Sequence, residues 1–545
     1  MGIVEATLLL LLITTMTVPW ARRTCMPIEI LLVLGSLAFS LLPGLPRLIL
    51  DPTVAFKLFL PPILFDAAFF TSWRDFKNSR LSIFLLAFGL VLFTTGLVAV
   101  AVRALGLGVS WPVAFLLGAI VSPPDASAAT AIIKKLGVPR RMVTVIEGES
   151  LVNDATALVA YRFALGAIVT GSFSLGDAAM RFVLVSVGGA AVGLVIAMGG
   201  IFIMQRLDNS TAETTLTLIT AFGTYLCAER LGFSGVISTV AGGLYYGQKL
   251  VPLTTAQTHL EASAFWKTVL FIINGLVFTL IGLQLPGIMS GLQGYSFGQL
   301  ALYGSTIAFV VIAVRFIWIF PTTYLRRRFF PPITPDEPAP SWRTITAVSW
   351  IGMRGIVSLA AALSIPLSLP SGANFPFRNL LVFLTYVVIL TTLLIPATTL
   401  PGLMRRLGIK DGGETRRDES VARLALFRAV LRELDSLKDS SPFSEELLEN
   451  TALLFKRRVR ALQDNLESGN FSPLLNEERS IRQLTQRLLN VARNELEGMR
   501  RQATIHDAVF FQLARELDIE ETRLRNQQID LKQPMQQHSR RKPHL

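Results

Sequence analysis

Residues Val143 to Ala167 read VTVIEGESLVNDATALVAYRFALGA. The stretch is long and apolar enough to cross a bilayer, which takes about 20 residues of helix, yet it carries Glu149, Asn153 and Asp154 near its middle. Carboxylates at membrane depth are costly and mark ion or proton pathways. Helical spacing puts Ser150 directly below Asp154 and Glu149 below Asn153, on adjoining stripes. One stripe can hold an ion while the other makes structural pairs.

The rest of the chain has the same apolar character. Of 545 residues 51% are hydrophobic, and the mean hydropathy is +0.52, more than a soluble chain of this length needs for its core. Apolar runs bounded by charge or by Pro and Gly clusters give about thirteen spans. They begin near residues 3, 28, 53, 81, 111, 142, 176, 214, 235, 263, 297, 342 and 379. The opening segment has Glu5 and no basic residue ahead of it, so it reads as a retained first span rather than a cleaved leader. Alternate loops hold the basic residues: Arg22 and Arg23; Arg74, Lys77 and Arg80; Lys134, Lys135, Arg140 and Arg141; Arg326 to Arg328 with Arg343; Arg405 and Arg406. The positive-inside rule makes these loops cytoplasmic, with the N-terminus outside and the C-terminus inside. The net charge of +13 therefore reads as membrane topology, not nucleic-acid binding. Cys25 and Cys227, the two cysteines, have no metal-ligand spacing around them, so neither a disulfide framework nor a cofactor is expected.

Two spans are interrupted. In WPVAFLLGAIVSPPDASAATAIIKK, residues 111–135, Pro123 and Pro124 remove backbone donors near mid-membrane and split the helix. Asp125 is placed to cap the second half, or to meet a cation directly. In the twelfth span, from Trp342 to Pro366, Gly352 and Gly355 flank Arg354. A buried guanidinium needs a carboxylate or free carbonyls, and Glu149 is the expected partner. The fifth span runs inward and the twelfth outward. Interrupted helices paired in opposite orientations are the sign of an inverted-repeat secondary transporter with its site at mid-membrane.

Beyond Leu407 the chain becomes charge-rich and helically periodic, as in Val421 to Leu437 and Ile481 to Leu496. The expected organisation is a membrane domain over residues 1–407, a cytoplasmic helical region over 408–526 and a disordered basic tail over 527–545. The helical region forms a small bundle or pairs with a partner helix.

The segments SPPDASAATAI, EGESLVNDATALV, NGLVFTLIGLQLP and WIGMRGIVSLAAALSIP resemble the signature segments of the monovalent cation/proton antiporter family of sodium/proton exchangers, across roughly Ile3 to Arg406. The resemblance implies an all-α polytopic fold with two crossing unwound helices, in which a core domain moves in an elevator-like cycle against a dimerisation domain of a homodimer. It implies that Asp154 alternately holds a cation or a proton, that Asn153 supports it, that Glu149 pairs with Arg354, and that Arg315 balances the half-helix ends. The family's Thr-Asp-Pro is replaced by Pro124-Asp125-Ala126, so Ser122 or Ser127 stands in for the missing threonine oxygen. Asp66, in PPILFDAAFF, matches a position where relatives often have an acid, and is a candidate gate.

The chemistry agrees with the resemblance. Between low-dielectric walls desolvation favours a neutral carboxylate, so proton and cation compete for Asp154, and the core moves only when loaded. With Asn at 153 rather than a second acid, one-for-one electroneutral exchange is expected. Ion size is not encoded in oxygen ligands of this kind, which leaves Na+, K+ and Li+ open. A membrane-embedded sensor signalling through the C-terminal helices is the alternative from another class. An enzyme is not expected, since no nucleophile sits with a base and His259, His506, His538 and His544 lie near a loop or in the tail.

Overall fold

Every regular element among the described residues of the computed structural model is helical, apart from an isolated bridge between Ser368 and Asn374. The described residues are 3–24, 28–40, 52–125, 129–130, 133, 138–171, 175–329, 341–409, 414–437, 444–468, 472–502, 513–514, 516–517 and 519–521. The chain divides into two units, Met1–Ile409 and Lys410–Leu545.

In the first unit the helices are α1 (Ile3–Thr24), α2 (Ile28–Ser40), α3 (Pro52–Phe69), α4 (Arg80–Ala104), α5 (Trp111–Val121), α6 (Arg140–Thr170), α7 (Leu175–Met204), α8 (Ser210–Arg230), α9 (Gly235–Leu253), α10 (Ala256–Leu283), α11 (Phe297–Phe329), α12 (Trp342–Trp350), α13 (Ile356–Leu363) and α14 (Arg378–Leu407). Among the described residues, six helical stretches are long and apolar enough to cross a membrane: α4, Met142–Thr170 of α6, Ala179–Met204 of α7, Ala256–Met289, Phe297–Leu325 and α14. In α14 most of the apolar stretch is buried inside the protein, whereas α7 leaves Met180, Val183, Leu184, Val187 and Val195 exposed. An exposed apolar face of that kind suits lipid rather than water.

Two local departures from α geometry position the site. Within α4, residues Leu85–Leu90 form a π-turn, and the indole Nε1 of Trp318 on α11 donates to the Leu85 carbonyl at 3.1 Å. A side chain that satisfies a carbonyl released from the ladder explains why the wider turn is tolerated. Between α4 and α5, Gly118 lies against the Thr95 backbone where a Cβ would collide. Small residues let membrane helices approach this closely.

In the second unit Glu414–Ser436 and Glu445–Ser468 pack through Phe427 and Phe455, whose ring centroids are 5.7 Å apart, with Arg458 over both rings. The following helix, Ser472–Arg501, exposes Leu484, Leu488 and Val491 along one stripe. The tail 527–545, Ser127, Lys134 and Lys135, and nearly all of the second half of the fifth span lie outside the described residues.

Candidate functional site

The two interruptions meet. α5 ends at Val121, and Ser122 to Asp125 are non-helical; α12 ends at Trp350, and residues 351–355 are non-helical before α13 begins. Pro123 has no N–H for the Ala119 carbonyl four residues back, and the Ser122 hydroxyl donates to that carbonyl instead, at 3.0 Å. The Asp125 N–H donates to the Met353 carbonyl at 2.7 Å, joining one broken segment to the other. Gly355 faces the Asp125 carboxylate so closely that a Cβ there would overlap it. No residue but glycine fits at this crossing.

Arg354 is fully buried, and its donors go to carbonyls. Nε donates to Val121 O at 3.1 Å and Nη2 to Ser122 O at 3.4 Å, while Nη1 donates to Gly352 O. Its own N–H donates to the Thr392 hydroxyl of α14 at 3.2 Å. The guanidinium thus sits on the C-terminal carbonyls of α5, the negative end of that half-helix.

The partner of Glu149 is Arg315 of α11, not Arg354 as the sequence led us to expect. Nη1 and Nη2 of Arg315 donate to the two carboxylate oxygens at 2.7 and 3.2 Å, and both residues are buried. This two-pronged fit is the geometry that guanidinium and carboxylate planes favour. Arg315 Nη2 also donates to Val348 O at 3.3 Å, near the C-terminal end of α12. The physical reason for the exchange of partners lies at the break in the fifth span. The carbonyls released there take up the Arg354 fork, and spacing along the chain does not show which arginine reaches Glu149 from a different helix.

Asn153 is fully buried on α6. Its Nδ2 donates to Pro124 O at 2.8 Å, which fixes the amide's orientation and leaves Oδ1 buried with no hydrogen-bond partner among the described residues. Asp154 is 8% exposed. No described residue gives its carboxylate a hydrogen bond, and the charge that acts on it is the like charge of Asp125. Ser150, half-buried, lies one turn before it. Asp66 is half-buried near the end of α3, where its neighbours Leu64 and Ala68 pack with Leu151 and Ala155 of α6.

Two participants were not singled out in the sequence. Thr392 gave no signal, since a threonine in a membrane helix ordinarily bonds back to its own turn, as this one also does to Val388 O at 2.7 Å. Arg378, the first residue of α14, gave no signal either. Its Nε and Nη2 donate to Ile365 O and Leu363 O at 2.8 and 3.1 Å, at the end of α13. Three half-helix C-termini therefore each carry a guanidinium, and the paired carboxylate is Glu149. Left without a guanidinium are the buried Asp154 carboxylate and, on the preceding residue, the Asn153 amide oxygen, which has no hydrogen-bond partner among the described residues; oxygens of this kind suit a hard cation or a proton.

Comparison with known proteins gives matches over nearly the whole membrane unit. Residues 7–406 match the family model described as sodium/hydrogen exchanger, transmembrane. The chain is 33% identical to an uncharacterized Na+/H+ exchanger of Mycobacterium tuberculosis, over 91% of each protein. It is 33% identical to the sodium, potassium, lithium and rubidium/H+ antiporter of Bacillus subtilis, over 85% of this chain and 73% of that one. It is 34% identical to the Na+/H+ antiporter ApNhaP of Aphanothece halophytica, over 84% and 86%. Its fold is that of the sodium proton antiporter MjNhaP1 from Methanocaldococcus jannaschii, with TM-score 0.58 at 21% identity, covering 74% of this chain and 98% of the other. With its membrane unit matched almost from end to end, the chain belongs to the sodium/hydrogen exchanger family, a family of membrane antiporters.

Proposed function

We propose that this chain exchanges a monovalent cation, Na+ first, for protons, with Asp154 holding the two in turn. The observation that carries this reading is the contrast between two buried acids five residues apart on α6. Glu149 has its charge met by Arg315, whereas Asp154 receives no hydrogen bond from a described residue. A bare carboxylate cannot be left in a low-dielectric interior. It takes up either a proton or a cation, and the Asn153 amide oxygen next to it supplies a further ligand to the second of these. Ser150, Ser122 and Asp125 are the remaining oxygens within this region.

Coupling follows from the same condition. The core, with the two broken helices crossing at Asp125 and Met353, moves past the other helices only when Asp154 is neutralised, so one cation is exchanged for one proton in an elevator-like, electroneutral cycle of a homodimer. The inverted orientation of the fifth and twelfth spans supports alternating access of this kind. Asp66 is assigned as a gate. The N-terminus lies outside and the C-terminus inside the cell membrane, by the distribution of basic loops.

The test is antiport measured by fluorescence quenching in everted vesicles, with Na+, K+ and Li+ compared for wild type and Asp154→Ala. Cation-dependent proton efflux in the wild type and none in Asp154→Ala is expected; retained exchange in Asp154→Ala refutes the assignment. Steady current on a solid-supported membrane would refute the electroneutral stoichiometry. A broader ion range is the second reading, supported by the likeness to the Bacillus subtilis antiporter whose name includes potassium, lithium and rubidium. Rb+-driven proton efflux equal to that with Na+ decides in its favour.

A further inference from the structure

Beside the helix that carries Asp154 is a cavity of about 640 Å³. Its walls come from α4 (Phe88, Leu92, Thr95), α5 (Trp111, Phe115), α6 (Thr156 to Ala167) and α7 (Ala179, Phe182, Val183). Two threonines line it, and neither presents a polar atom in need of a partner. Thr95 donates to Val91 O at 2.8 Å and Thr156 to Val152 O at 3.3 Å, each back into its own helix. The wall is therefore hydrocarbon, and water or an ion gains nothing by entering.

Its shape and surroundings point to an occupant. Along α6 the lining runs from Thr156 to Ala167, roughly 16 Å at about 1.5 Å per residue, close to the half-thickness of a hydrocarbon core about 30 Å deep. Phe88 and Phe182 meet edge to face, with centroids 5.7 Å apart, at the deep end. Leu92, Trp111, Phe115 and Val183 are exposed along one side, so the cavity opens toward the bilayer. At the shallow end stands Arg103, exposed, held by its hydrogen bond to Val109 O at 2.5 Å and stacked over Trp111 at 5.4 Å. An arginine and a tryptophan at interface level above a one-leaflet apolar slot match a phosphate above an acyl chain.

We propose that this cavity binds one acyl chain of an anionic phospholipid, its phosphate on Arg103, as a lipid wedge between α6 and α7. The readout is lipid mass, independent of antiport, so this inference and the assignment of Asp154 fail separately. Purified protein is washed in detergent and mixed with equal phosphatidylglycerol and phosphatidylcholine, and bound lipid is counted by native mass spectrometry. One tightly retained lipid per chain, with phosphatidylglycerol preferred, is expected for the wild type. Ala160→Phe places a ring in the slot; at about fourfold per buried methylene, displacing three weakens retention about sixty-fold. Arg103→Gln, on the surface, keeps the lipid but loses the preference for phosphatidylglycerol. If Ala160→Phe does not fold, Ala167→Leu narrows the same slot and is read the same way. Wild-type protein that retains no lipid, filled variants that retain as much as wild type, or an unchanged headgroup preference in Arg103→Gln overturns the proposal.

Discussion

A double-mutant cycle over Glu149, Arg315 and Arg354 tests the charge arrangement most directly, because sequence and structure pair Glu149 with different arginines. With the two fork distances at 2.7 and 3.2 Å, the charge centres are about 4 Å apart, which at an effective dielectric constant near 20 is worth about 4 kcal/mol. Removing one partner of a buried pair costs about 3–5 kcal/mol for the same reason. In Glu149→Gln the Arg315 guanidinium loses its countercharge and the two-pronged fit, keeping as acceptors only Val348 O and the single amide oxygen, while its Nε has no partner among the described residues. In Arg315→Met the Glu149 carboxylate is stranded. The double variant strands neither. Thermal stability is read by fluorescence-detected size exclusion in detergent. Each single variant should melt well below wild type, and Glu149→Gln with Arg315→Met should recover most of the loss, with a coupling of about 2–3 kcal/mol, the upper range for groups in contact. Arg354→Met should be as harmful alone, since it uncovers the carbonyls of Val121, Ser122 and Gly352, but should couple with Glu149→Gln by less than about 1 kcal/mol. Stronger coupling to Arg354 than to Arg315 refutes the pairing.

Asp154→Asn should abolish antiport yet melt no lower than wild type, because it removes a buried carboxylate that no guanidinium meets; a fall in melting temperature as large as that of Glu149→Gln would count against the distinction drawn between the two acids. Gly355→Ala forces a methyl onto the Asp125 carboxylate at the crossing, where overpacking costs about 1–3 kcal/mol, so exchange in vesicles should drop by about tenfold or more; wild-type exchange rates would show that the crossing yields easily. Thr392→Val leaves the Arg354 N–H without its acceptor, a loss of about 1–3 kcal/mol, seen as a lower melting temperature, whereas Thr392→Ser should restore it.

Much of this was legible because charge inside an apolar run is anomalous wherever it occurs. Glu149, Asp154 and Arg354 stand out against their spans, while Arg315 entered only through the family resemblance, and Pro123–Pro124 and Gly352–Gly355 announce broken helices through the loss of donors and of side chains. The helices begin close to where hydrophobic runs begin, since length and polarity limits are set by the bilayer. Partner choice was not legible. Arg315 is 166 residues from Glu149 in sequence, and only the packing of α11 against the other helices decides that its fork, rather than that of Arg354, arrives there. Thr392 and Arg378 were missed for a related reason: both act on the backbone, Thr392 on the Arg354 N–H and Arg378 on the carbonyls of Leu363 and Ile365, and no sequence pattern marks such groups.

The three arginines clarify why Asp154 stands apart. A broken helix leaves carbonyls at the end of its first half, and in a medium without water those must be satisfied from within the protein. Arg354 and Arg315 do this for α5 and α12, and Arg378 does the same at the end of α13, the second half of its span. A guanidinium is charged throughout the physiological range, so these ends are compensated by groups whose charge does not vary during a transport cycle. Arg315 adds one full countercharge, and Glu149 meets it with a fixed geometry. The fixed charges are thereby assigned to fixed partners, and the crossing keeps its form whichever ion is bound. Had Arg354 faced Asp154, the carboxylate would have been held permanently ionised and in place, leaving a proton or a cation little to compete for. Under the proposed assignment of Asp154, the restraint of Arg354 by the α5 carbonyls is therefore as necessary to exchange as the carboxylate itself, and the break at Pro123–Pro124 becomes part of the ion chemistry rather than only a gap in a helix.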